Sequence, residues 1–210
     1  MNPEKITYPK KLLTYFIGIL LVSAGIVLCK KCNLGISPIS SIPFVLEGIV
    51  PLSFGTLTML FHLVNILLQS IVTRNVTMKI ILQVPIAVLF GQVINLFQKL
   101  LNFNADIWYI QLLALILSIV FTALGMVCMI HMQLVQNPPD GFVHLISQKL
   151  GCELGKVKIS YDISCVLISI AFSLYFFREI RGFGIATIAS ALLVGKLVSF
   201  FTPYFCKLFQ

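Results

Sequence analysis

Residues 134–146 read LVQNPPDGFVHLI, directly after one of the longest apolar runs in the chain. Such a break can do two kinds of chemistry. Proline suits the opening turn of a helix, where its missing N–H is not needed. The exposed N–H groups of that turn attract anions, and Asn137, Asp140 and Gly141 surround them with polar side chains and accessible backbone. Asp140 also has a plainer duty open to it, as the N-cap of its own helix. In the earlier part of the chain Ser37-Pro38-Ile39-Ser40-Ser41 offers a similar arrangement. Ser37, Pro38, Ser40, Ser41, Asn137, Pro138, Asp140 and Gly141 are therefore the candidate substrate-binding residues.

A second set consists of His62, Gln92, Asp162 and Lys196, which fall within apolar runs. An ionisable group at membrane depth is costly and faces a bundle interior or a wet cavity. If spans five and six touch, Asp162 and Lys196 pair and neutralise two charges at once, and the same geometry would bring His62 to Gln92. The plainer readings are a Lys196 that snorkels, an Asp162 among headgroups beside Lys158, and a His62 bonded to Asn65 or Gln92. Histidine would titrate in the range useful to a proton carrier. Asn65, Gln69, Gln83 and Asn95 read as hydrogen-bond formers between helices.

The elements that carry these groups follow from composition. Of 210 residues, 59% are hydrophobic and only 10% are charged, whereas a soluble domain is about 45–50% apolar and about 25% charged. A globule of this size has too little interior to hide so much apolar surface, so lipid is the solvent. Six runs, near 12–29, 54–72, 80–97, 107–132, 159–177 and 183–201, reach spanning length. The fold class is all-α, a polytopic membrane protein with no separate soluble domain. The segments after Pro38 and Pro138 are too short to cross and are expected to form short re-entrant or interfacial helices. A dip into the membrane is allowed only where the broken backbone faces protein or water. Pro85 marks a kink in the third run.

The two halves fall into register at an offset of 100: Gly25 with Gly125, Leu34 with Leu134, Pro38 with Pro138, Gly55 with Gly155, Leu67 with Leu167. After a further slip of four, Gly91 meets Gly195 and Phe97 meets Phe201. Glycine and proline carry the match because they fix backbone geometry. The unit, about 11–103 and again about 104–210 within a single membrane domain, holds three spans. An odd number turns the second copy over, giving an inverted repeat. Lys5, Lys10, Lys11, Arg74, Lys79, Lys149, Lys156, Lys158 and Lys207 then share one side, against Lys30, Lys31, Lys99, Arg178 and Arg181 on the other. That imbalance places both termini in the cytoplasm and the chain in the cell membrane. The first run imitates a signal peptide, with Lys10 and Lys11 ahead and Ser23-Ala24-Gly25 as small residues, but the repeat argues that the run is retained.

Other chemistry is excluded. The net charge of +8 comes from basic residues clustered between the runs, where they meet headgroups rather than nucleic acid. No cofactor or metal is expected. Cys29 and Cys32 have redox or zinc spacing, yet no second ligand pair accompanies them. Gly151–Val157 imitates a phosphate loop, but lacks a Ser or Thr after Lys156 and a strand before it. Asn75-Val76-Thr77 forms a sequon on the cytoplasmic side and carries little weight.

The Gly-rich first span, the polar break at proline, and a later copy with Gly125, Pro138, Asp140, Gly155, Asp162, Gly182 and Gly184 resemble the YczE/YyaS/YitT family of bacterial integral membrane proteins. The resemblance covers most of the chain and implies the membrane class and the duplicated plan, but no substrate. The chain departs from it where a G-x-G-T motif is expected, reading Gly182-Phe183-Gly184-Ile185-Ala186-Thr187.

The expected function is a small secondary transporter or permease-like protein, with a site for an unknown small molecule between the repeats. The alternative is an accessory or substrate-capturing subunit of a larger complex, and small-residue faces suit a homodimer or partner subunit. An enzyme is not expected, because no catalytic constellation is present.

Overall fold

A computed structural model describes residues 7–208 apart from Asn104. Lys5, counted above for topology, lies outside the described residues, as do the two ends of the second repeat, Asn104 and residues 209–210. Among the described residues the chain is helical with no strand. Six helices are long and apolar enough to span a bilayer, and the protein is a multi-pass membrane protein. They are α1 (Tyr8–Lys31), α3 (Phe54–Thr73), α4 (Met78–Ile81) run on into α5 (Gln83–Leu100), α6 (Trp108–Met132), α8 (Leu154–Phe177) and α9 (Ile185–Leu208). Between them lie α2 (Ser41–Glu47), entered by a tight turn at Pro38–Ser40, and α7 (Pro138–Leu150). The two short helices begin where the prolines predict them.

Local chemistry accounts for the boundaries. Ser53 starts α3, its hydroxyl accepting from the Thr56 N–H at 3.4 Å. The expected kink at Pro85 is a break between α4 and α5 that falls at Leu82. A proline ring collides with the carbonyl four residues earlier, here that of Ile81, the last residue of α4. Pro203 lies inside α9. Helix α8 starts five residues before the apolar run at Ile159, so Lys156 and Lys158 are helical.

The backbone repeats where the sequence does. Among the described residues, four other than glycine adopt the left-handed conformation: Asn33 (φ 58°), Arg74 (φ 53°), Gln133 (φ 51°) and Arg178 (φ 57°). Asn33 and Gln133 follow the first helix of each copy at the offset of 100. Arg74 and Arg178 close the second helices at the offset of 104. The slip of four is thus one added turn, since α3 has 20 residues and α8 has 24.

By packing the chain falls into two compact units, each drawing on both repeats. The first comprises Met1–Ser37, Leu96–Leu134 and Gly184–Gln210. Its seam joins α1 to α6, the counterpart helices of the two copies. A side chain on Gly18 would strike the Gly125 carbonyl at 2.9 Å, and one on Gly25 the Ser118 carbonyl at 2.8 Å. Since α1 rises as α6 descends, these helices are antiparallel, as an inverted repeat requires. Helix α9 packs on α6. The Leu34–Ile36 link lies against the start of α9, with the Ala186 N–H donating to the Leu34 carbonyl at 2.9 Å. Gly35 (φ 107°) approaches the backbone of Gly184 there. Thr187 has a local task, its hydroxyl accepting from the Gly184 N–H at 3.2 Å.

The second unit comprises Pro38–Asn95 and Val135–Phe183. Here α7 packs on both α3 and α8, and α2 packs on the same two helices. Helix α5 meets α3 where Gly55 and Gly91 face one another, and the Gly55 N–H donates to Asn95 Oδ1 at 3.0 Å. Ile66, Ile80 and Ala87 are buried together, with Leu63 against them.

Candidate functional site

The second unit buries His62, Asn65, Gln69 and Gln83. Asn137 occupies the N-cap position of α7, followed by Pro138, Pro139 and Asp140. Asp140 is therefore not the cap but the third helical residue, where the unpaired N–H groups of the first turn favour a negative charge. Asn137 Nδ2 donates to Asp140 Oδ2 at 3.2 Å. Lys158 Nζ donates to Asp140 Oδ1 at 3.2 Å and lies 3.3 Å from Asp162 Oδ1, one turn along α8. Its charge also sits 6.0 Å from the centre of the Tyr161 ring. Two carboxylates thus enclose one ammonium.

Around this core runs a hydrogen-bonded frame. Tyr161 donates to Asn65 Oδ1 at 2.7 Å, and Asn65 Nδ2 donates to the Phe61 carbonyl at 2.8 Å. The amides of Gln69 and Gln83 bond each other reciprocally at 2.8 Å and 3.0 Å. Gln69 Nε2 also donates to the Pro138 carbonyl at 3.0 Å. Gly141 makes room for the pair: a Cβ there would come within 3.1 Å of Gln69 Oε1. The expected role of Asn65, Gln69, Gln83 and Asn95 in tying helices together is therefore met.

His62 is 2% exposed and rests against the Phe90 ring, centroids 5.2 Å apart. Its Nδ1 has no hydrogen-bond partner among the described residues, and Asp140 is the charged group whose field reaches it.

The first break meets the same helix α8. Ser40 and Ser41 are buried; the Ser41 hydroxyl donates to the Pro38 carbonyl at 2.6 Å and lies 3.3 Å from that of Cys165. Cys165 is seven residues beyond Lys158, about 10 Å along the helix at 1.5 Å each. Both breaks thus abut α8 within two turns. Ser37 is half-buried, and its backbone N–H bonds the Cys29 thiol.

Asp162 pairs with Lys158, the neighbour the plainer reading gave it, and Lys196 is exposed on α9 with no ion pair among the described residues. Gln92 is exposed on α5, while His62 meets Phe90. The i, i+4 spacing of Lys158 and Asp162 is legible in the sequence; the partner it does not show is Asp140, which reaches Lys158 from another helix.

Cys29 and Cys32 form a second buried cluster. Cys32 donates to the Cys29 carbonyl at 3.0 Å, and the Cys29 thiol bonded to it draws its own thiol down to about 7. All described cysteines are free, and no group of three His, Cys, Asp or Glu could hold a metal among the described residues. Two shallow grooves lie away from these clusters: one beside Phe200, Pro203 and Tyr204, the other beside Phe44, Glu47 and Phe177.

Fold and site together define a polytopic α-helical membrane protein in which α7, started by proline, joins α8 in a mixed-charge cluster. The chain belongs to a family of unknown function, DUF6198, whose model matches residues 9–203. No curated protein and no solved structure matches it.

Proposed function

We propose that the protein is a small secondary transporter of the cell membrane, with both termini cytoplasmic and no enzymatic step. Its substrate site is built around Asp140, Lys158 and Asp162. The observation that carries this reading is the enclosure of Lys158 by two carboxylates, one on a broken helix and one inside a span. Transporters commonly bind substrate at interrupted helices between inverted repeats, and here Asn65, Gln69 and Gln83 come from the first copy while Asp140, Lys158 and Asp162 come from the second. The likeness to the YczE/YyaS/YitT proteins accords with the duplicated plan. Flux into proteoliposomes across a panel of solutes tests the reading: Asp140→Asn is expected to abolish uptake and His62→Ala to reduce it. Uptake indifferent to both substitutions overturns the site.

A second reading, an accessory subunit of a larger complex, draws on α8 and α9, whose most apolar stretches are each only 17% buried. Purification in mild detergent separates the two, because a stoichiometric partner on these helices favours the second.

A further inference from the structure

Lys158 already behaves as a bound ligand would. Its ammonium lies between Asp140 Oδ1 and Asp162 Oδ1 at 3.2 and 3.3 Å, with the face of Tyr161 beside it. We propose that this seat receives a small primary ammonium cation in place of Lys158 Nζ, and that such a cation is the substrate; the last clause rests on the transporter reading above.

Three observations support the exchange. The two carboxylates outnumber the one ammonium, so the cluster carries a formal charge of −1, which invites a cation and repels an anion. The positive end of α7 does not reverse this, because Asp140 already lies there. Next, the buried Asp162 Oδ1 has the ion pair but no hydrogen bond. A tethered lysine aims its donors at Asp140, whereas a free ammonium can turn to serve both carboxylates. Finally, Lys158 stands on a flexible four-carbon stem, and its side chain is 30% exposed. It can withdraw toward the start of α8 as long lysines do at membrane surfaces. The seat has aromatic and carboxylate walls but, among the described residues, no third acid, which suits an ammonium better than a divalent ion.

The test uses the full chain in detergent, with methylammonium, tetramethylammonium and sodium chlorides at equal ionic strength, read by calorimetry and by thermal melting. Methylammonium is expected to bind the wild type and, with the competing lysine gone, to bind Lys158→Ala about tenfold tighter. Tetramethylammonium, which has no N–H, and sodium are expected to do neither. Asp162→Asn, which leaves one carboxylate against one ammonium, is expected to lose binding while still melting cooperatively. If Lys158→Ala does not fold, the wild type against Asp162→Asn carries the comparison. No methylammonium binding by the wild type, or an equal response to sodium or tetramethylammonium, overturns the seat. Binding in this pattern without labelled methylamine flux keeps the seat and removes the transporter reading; flux of another solute without amine binding does the reverse.

Discussion

The α1–α6 seam and the α3–α7–α8 cluster join helices in opposite ways. At the seam, Gly18, Gly25 and Gly125 let backbones touch. In the cluster, Gln69, Gln83, Asn65, Tyr161, Asp140 and Lys158 hold helices together by directed polar bonds. Lipid tails are as apolar as leucine, so helices in a bilayer gain little from hiding apolar surface against each other. What remains is close fit or hydrogen bonding, and this chain uses each in a different place. A close fit has one good arrangement, whereas a polar frame has partners to exchange. The seam suits a fixed element and the cluster a working one.

The comparison is broken most severely at the seam. Gly125→Val places a branched carbon 2.6 Å from the Gly18 carbonyl, and overpacking of this kind costs about 3 kcal/mol. Unfolding in a graded series of denaturing detergent is the measurement. Gly195→Val, where nothing lies within 4 Å, is the control and should leave the midpoint unchanged.

In the cluster the largest loss is expected from Gln69→Leu, about 2 kcal/mol, because the Gln83 amide is left buried without its partner. Adding Gln83→Leu should restore part of that loss, and the double-mutant cycle measures the coupling. A simple sum of the two single losses would show that the amides act independently. Tyr161→Phe removes the bond to Asn65 and should cost about 1 kcal/mol by the same assay. Ser41→Ala should cost least, about 0.5 kcal/mol, since its reach to the Cys165 carbonyl is long at 3.3 Å.

The sequence made the backbone plan readable and the charge partners much less so. Proline and glycine mark geometry directly. The breaks before α2 and α7 were therefore visible, and the slip from 100 to 104 anticipated the extra turn in α8. Partners depend on which way a helix faces, and register says nothing of that. Gln92 lies two residues beyond Phe90, about 200° around the helix, so when Phe90 meets His62 the amide points away. The pairing of Lys158 with Asp140 was hidden for another reason: the two stand on different helices, α8 and α7, and no spacing within one helix joins them.

The added turn of α8 has a mechanical consequence. Four residues carry a helix about 400° around, so growth by that amount shifts later side chains by only about 40° in bearing while lengthening the rod by about 6 Å. One copy could stretch without losing track of its sides. Mismatch with lipid is set by the apolar stretch rather than by the whole rod, and the runs at 54–72 and 159–177 are equally long. Both copies therefore meet the same bilayer thickness, and the surplus of α8 is a charged entry turn that carries Lys156 and Lys158.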